Sequence, residues 1–79
     1  PALGLSPLLA SQLLGLIREV NTQGVTILLV DQNARKSLQI ADYAYVLQQG
    51  RIVKEGDACQ LLNDPAVQEA YLGGHKVSC

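Results

Sequence analysis

Methionine, phenylalanine and tryptophan are absent from this chain of 79 residues, and histidine occurs once. Three Tyr supply all the aromatic bulk, so any core is aliphatic. Neither charge sign dominates: six Lys/Arg stand against seven Asp/Glu, for a formal charge of −1. There is no basic field to call for nucleic acid and no acidic tail. No apolar run reaches the ~20 residues of a membrane-spanning helix, and the opening residues are not expected to be a signal peptide. Cys59 and Cys79 form no CxxC pair, and His75 stands at no usual zinc spacing from them. Cys59 is expected as a small core filler and Cys79 as a terminal thiol. So few cysteines fit a reducing cytoplasm. No Gly-x-x-x-x-Gly-Lys-Ser/Thr loop occurs, so nothing here cradles phosphates in the P-loop manner.

What is present is aliphatic. Leu, Ile and Val occupy 25 of the 79 positions, which excludes a disordered tail. A chain this short buries only roughly 60% of its unfolded surface, so its core is marginal. Pro1 leads straight into a loop-like run, and together with the missing Met this gives the expectation of a piece of a larger domain.

Ser6-Pro7 reads as a helix start, Ser as N-cap and Pro in the first turn. Leu9, Leu13, Leu16, Ile17 and Val20 then recur as the buried stripe of an amphipathic helix, opposite Ser11, Gly15, Arg18 and Thr22. Gly24 caps its end. Val25 to Val30 is a short, nearly continuous apolar run rich in β-branched residues. Its continuity predicts a strand covered on both faces, as in a central parallel sheet. Asp31-Gln32-Asn33 ends it, and 34–41 returns to helical spacing through Ala34, Leu38 and Ala41.

Tyr43 to Leu47 and Arg51 to Glu55 flank Gln49-Gly50 as a tight hairpin. Gly56 is expected to break the second strand. Asp57 and Gln60 have capping-box spacing before a short helix through Leu62. Asp64-Pro65 starts another, with Val67, Ala70 and Tyr71 on one side and Gly73-Gly74 at its end; residues 75–79 read as a loose tail. The order is helix, strand, helix, hairpin and two short helices, an α/β arrangement. The first helix is a good right-handed crossover, but the parallel strand that should precede it is not in the sequence. This pattern predicts the tail of an α/β domain.

Functional sites in open α/β sheets lie beyond the carboxyl ends of the strands. Asp31-Gln32-Asn33 occupies that location. The plainer alternative is that Asn33 caps the next helix and Asp31 and Gln32 are a solvated turn. Asp31, Asp42, Asp57 and Asp64 are candidate acid/base groups, but three of them sit at helix starts or turns, where capping is the expected role, and Arg35-Lys36 reads as a solvated helix face.

The run Thr26 to Lys36, TILLVDQNARK, resembles the switch region of ABC transporter ATPases, and more narrowly that of the smaller ATP-binding subunit of bacterial branched-chain amino acid transporters. Tyr45-Val46-Leu47, Gly50-Arg51-Ile52-Val53 and Glu55-Gly56 resemble the strand pair that follows. Asp64 to Val67 and Glu69 to Gly74 are similar to its C-terminus. Ala2, Leu3, Gly4 and Leu5 look like the D-loop at the ATPase dimer interface. Residues 1–74 carry the likeness, which implies the C-terminal part of a P-loop NTPase domain, with 75–79 as a tail. It also implies that Gln32 stands at the switch position, usually a His, and contacts the γ-phosphate of ATP. An amide donates a hydrogen bond there but does not titrate as imidazole does.

Two departures stand out. Asp31 is one methylene shorter than the family's usual Glu, and Ala2 replaces a usual Ser. A complete subunit of this kind uses ATP and Mg, pairs with a second ATPase subunit and drives a membrane permease from the inner face of a bacterial membrane. Walker A, the signature motif and Walker B would all precede Pro1. The chain alone, without them, is expected to be inactive and to self-associate. A reading of another class is a non-enzymatic interaction module that keeps a remnant of the ATPase fold.

Overall fold

In a computed structural model of the chain, residues 6–74 are described. Helix α1 spans Pro7–Thr22, α2 Ala34–Ile40, α3 Ala58–Leu62 and α4 Pro65–Tyr71; strands β1 Tyr43–Gln48 and β2 Arg51–Asp57 lie between α2 and α3. The helix starts follow their capping residues. Ser6 accepts from the Leu9 amide, Asn33 from the Lys36 amide, and Asp64 from the Ala66 and Val67 amides. Each satisfies an amide that the first helical turn leaves without a partner. Gly24 takes φ +97° beyond α1, the left-handed backbone of a helix-ending glycine.

β1 and β2 pair antiparallel from Tyr43↔Asp57 to Gln48↔Arg51. Gln49 and Gly50 both have positive φ, 51° and 76°, as a type I′ turn requires. Val46 opposes Lys54 and Leu47 opposes Ile52. Val53 is therefore one residue too many for its partner, a β-bulge. Gly50→Ala is expected to cost roughly 1 kcal/mol, since a Cβ is disfavoured in left-handed backbone. A lower midpoint in urea unfolding checks this.

The core is small and lies at the C-terminal end. Leu38, Ala58, Leu61, Leu62, Val67 and Leu72 are buried together, with Ala34, Ala41, Ala44 and Val46 packed against them. Alternate residues of β1 divide accordingly, Ala44 and Val46 inward and Tyr43, Tyr45 and Leu47 outward. A bond from the Ala58 amide to the Asp42 carbonyl, 3.1 Å, closes the hairpin base on α3. Lys54 pairs with Asp64 and so ties β2 to the start of α4.

Several expectations are corrected. Val25 to Val30 forms no strand: the sheet among the described residues is the two-stranded hairpin alone. Leu28 is 88% exposed and Val30 80%. A strand exists only through ladder bonds to a neighbour, and none lies beside this run among the described residues. The buried stripe of α1 is rotated. Ala10 and Leu14 are buried, Leu13, Ile17 and Val20 are half-buried, and Leu9 and Leu16 are exposed. Polar residues of α1 also bond to other elements: Lys36 Nζ donates to the exposed Ser11 Oγ, and the half-buried Arg18 donates to the Ile40 carbonyl and Asp42.

Gly56 does not break β2, which continues to Asp57 with Ala44 opposite Gly56. Asp57 makes no side-chain capping bond, because it ends the ladder opposite Tyr43. On α4 only Val67 of the expected trio is buried; Ala70 and Tyr71 are exposed. Cys59 is exposed rather than a small core filler. The loose-tail and Cys79 expectations lie outside the described residues.

Candidate functional site

The polar triplet after the apolar run is a built turn. Asp31 Oδ1 accepts from the Asn33 amide at 3.1 Å, and Asp31 Oδ2 accepts from Ser37 Oγ at 3.1 Å. Asn33 Oδ1 accepts from the Lys36 amide at 3.2 Å. The residues on either side of Gln32 are thus fixed to the first turns of α2. Gln32 itself is exposed, while Asp31 and Asn33 are half-buried. The plainer reading is seen directly: Asn33 caps α2, and Gln32 stands exposed on the turn before it.

Gln32 opens onto a shallow hollow shared with Arg35, Lys36, Tyr71, Leu72 and Gly73. The end of α4 therefore forms the wall opposite the start of α2. Arg35 donates to the Leu72 carbonyl across this hollow. Lys36 Nζ donates to the Pro7 carbonyl at 3.2 Å and to Ser11 Oγ at 2.9 Å. The reading of Arg35-Lys36 as a solvated face is corrected: each cation ties α2 to another element. Nothing in the sequence signals these partners, which lie 25 to 37 positions away. The D-loop assignment falls on Ala2, Leu3, Gly4 and Leu5, which lie outside the described residues.

Desolvation pushes the Asp31 carboxyl up, but the bonds from the Asn33 amide and the Ser37 hydroxyl outweigh it, and the carboxyl sits below its ordinary value of 3.8. Such a group adds stability that is fully present above the unfolded value and is lost as pH falls through the lower folded one. A carboxyl-carbon NMR titration is expected to place Asp31 below 3.8, and Ser37→Ala to move it upward. A midpoint at or above the ordinary value in the parent chain contradicts the bonded turn.

The turn offers an exposed amide, one fixed carboxylate and two committed cations. Among the described residues no group of His, Cys, Asp and Glu is placed to hold a metal ion. No described helix is long and apolar enough to cross a membrane.

No family model matches the chain. It is 47% identical over 74 residues to the high-affinity branched-chain amino acid transport ATP-binding protein BraG of Pseudomonas aeruginosa, covering 94% of this chain and 32% of that protein. It is 33% identical over 73 residues to the lipopolysaccharide export system ATP-binding protein LptB of Acidithiobacillus ferridurans, covering 92% of this chain and 30% of that protein. A probable ABC transporter ATP-binding protein of Azorhizobium caulinodans is also 33% identical over 73 residues, covering 92% of this chain and 26% of its own length. The chain thus spans less than a third of the length of these relatives.

Proposed function

From a chain that is a relative of the ATP-binding proteins of ABC transporters, we propose that residues 1–74 are the C-terminal part of a nucleotide-binding domain that serves a branched-chain amino acid importer. The supporting observation is the 47% identity to BraG across 94% of the chain, against 33% to LptB. Gln32 is the switch residue in this reading. Its exposure on a turn pinned at both neighbours suits a side chain that must meet a ligand held by other elements.

In the complete subunit ATP and Mg are bound by motifs that this sequence does not contain. Ala2 to Leu5 meet a second ATPase subunit, and the assembly works beneath a membrane permease on the inner face of a bacterial membrane. Phosphoryl transfer of this kind rests on positioning and electrostatic stabilisation, and Gln32 contributes one hydrogen bond to it. The substrate assignment is tested by expressing a complete subunit carrying this segment in cells that lack their own branched-chain ATP-binding subunit. Restored leucine uptake supports it. No uptake, with rescue of lipopolysaccharide export in the matching deletion, overturns it.

The second reading, a non-enzymatic interaction module, is favoured by the apolar side chains of Leu28 and Val30 standing exposed. The two readings agree on the isolated chain: without a P-loop it has no backbone cradle for phosphates. Titration calorimetry with Mg-ATP is expected to give no binding tighter than millimolar, and micromolar affinity contradicts this. They differ in a complete subunit, where only the first requires Gln32 for turnover.

A further inference from the structure

We propose that Arg35 is a positioning residue for Gln32, holding the start of α2 at a set distance from the end of α4. This rests on the reading of Gln32 as the group that meets the γ-phosphate. The argument begins with the length of α2. It has seven residues, and helices that short do not persist by their own backbone bonds. Its placement is set by what it touches. Leu38 anchors one side in the core. Its first turns carry Arg35, Lys36 and Ser37, whose side chains leave the axis about 100° apart. Each ties a different element: Arg35 the Leu72 carbonyl, Lys36 the start of α1, and Ser37 the Asp31 carboxylate.

The Asp31-Gln32-Asn33 turn rides on this helix through the Asp31 and Asn33 bonds. Where α2 rests therefore decides where the Gln32 amide points. Of the three ties, Arg35 alone spans the hollow onto which Gln32 opens. Its Nε is buried and finds no hydrogen-bond partner among the described residues. An unpaired buried donor costs stability, and an apolar side chain of similar volume often serves a partly buried site as well as a charge does. Stability alone does not call for arginine here. What the guanidinium adds is a directed bond that fixes the separation of α2 from Leu72.

The test uses a complete ATP-binding subunit carrying this segment. Arg35→Met keeps the length and apolar stem and removes the donor, Arg35→Lys keeps a cation, and Gln32→Ala is the reference. Displacing a group from its working position by a fraction of an ångström is expected to lower kcat on the order of 10-fold in Arg35→Met. KM for ATP stays within about twofold, since the other phosphate contacts are untouched. Arg35→Lys, able to reach the same carbonyl, recovers part of the rate. In the Gln32→Ala background, Arg35→Met adds no further loss, which a merely structural role would not produce. Unchanged kcat in a folded Arg35→Met variant beside a slowed Gln32→Ala overturns the proposal. So does a loss in Arg35→Met that is the same with and without Gln32. Full turnover in Gln32→Ala removes the underlying reading of Gln32, and the positioning role with it.

Discussion

Gln32→Ala in a complete subunit is expected to slow ATP hydrolysis by roughly 10²-fold, the loss seen when one preorganised donor to a developing charge is removed. ATP binding should change far less. In the ground state a γ-phosphate contact is one bond among many, whereas in the transition state charge moves onto the oxygens it faces. The structure supports a rate effect over a folding effect, because Gln32 is exposed and the turn is held by its neighbours Asp31 and Asn33. Single-turnover hydrolysis and nucleotide titration on the same variant separate the two quantities. Gln32→Glu adds a sharper arm: a carboxylate at that position repels phosphate and should lower both. Unchanged turnover in Gln32→Ala would leave this residue a turn residue only.

The isolated chain is expected to self-associate through the run from Val25 to Val30. Leu28 and Val30 expose 88% and 80% of their surface, and Leu8 on α1 exposes 70%. No hydrogen-bonded ladder covers this run among the described residues. Exposed apolar side chains on backbone outside any ladder recruit another strand or another apolar face. Burying one such aliphatic side chain is worth about 1.5–3 kcal/mol, a large share of what a core of this size retains. Light scattering over a dilution series should show a mass that rises with concentration above 8.5 kDa. The paired substitutions Leu28→Lys and Val30→Lys should hold it at the monomer. Neither residue lies in the core cluster, so the fold around Leu62 should survive. A constant monomer mass in the parent chain, with strong amide protection across residues 25–30, would mean that the run closes onto its own chain.

Local chemistry was legible in the sequence. Ser6-Pro7, Asn33 and Asp64-Pro65 start helices because a side-chain oxygen satisfies amides within the next three residues. Gln49-Gly50 turns the hairpin because its partners are adjacent strands of the same ribbon. The likeness to ABC ATP-binding proteins was legible too, from residues 26–36 and the C-terminal run.

Decisions between distant elements were not legible. The apolar run 25–30 has the composition of a central strand, yet a strand needs ladder partners, and composition does not supply them. The stripe of α1 is turned by one position, with Ala10 and Leu14 buried, and on that helix Arg18 reaches the Ile40 carbonyl and Asp42 while Lys36 reaches back to Ser11. Asp57 matched a cap by spacing but ends a strand ladder. In the same way Arg35 and Lys36 read as surface charges, because their partners, the Leu72 and Pro7 carbonyls and the Ser11 hydroxyl, lie far away along the chain. Capping residues and the Gln49-Gly50 turn mark where helices and the hairpin begin, and Gln32 follows the apolar run, all within a few residues of chain. Which faces are buried, and that Gln32 lies across from the end of α4, came from the packed chain, because packing and long-range hydrogen bonds depend on neighbours that spacing along the chain does not record.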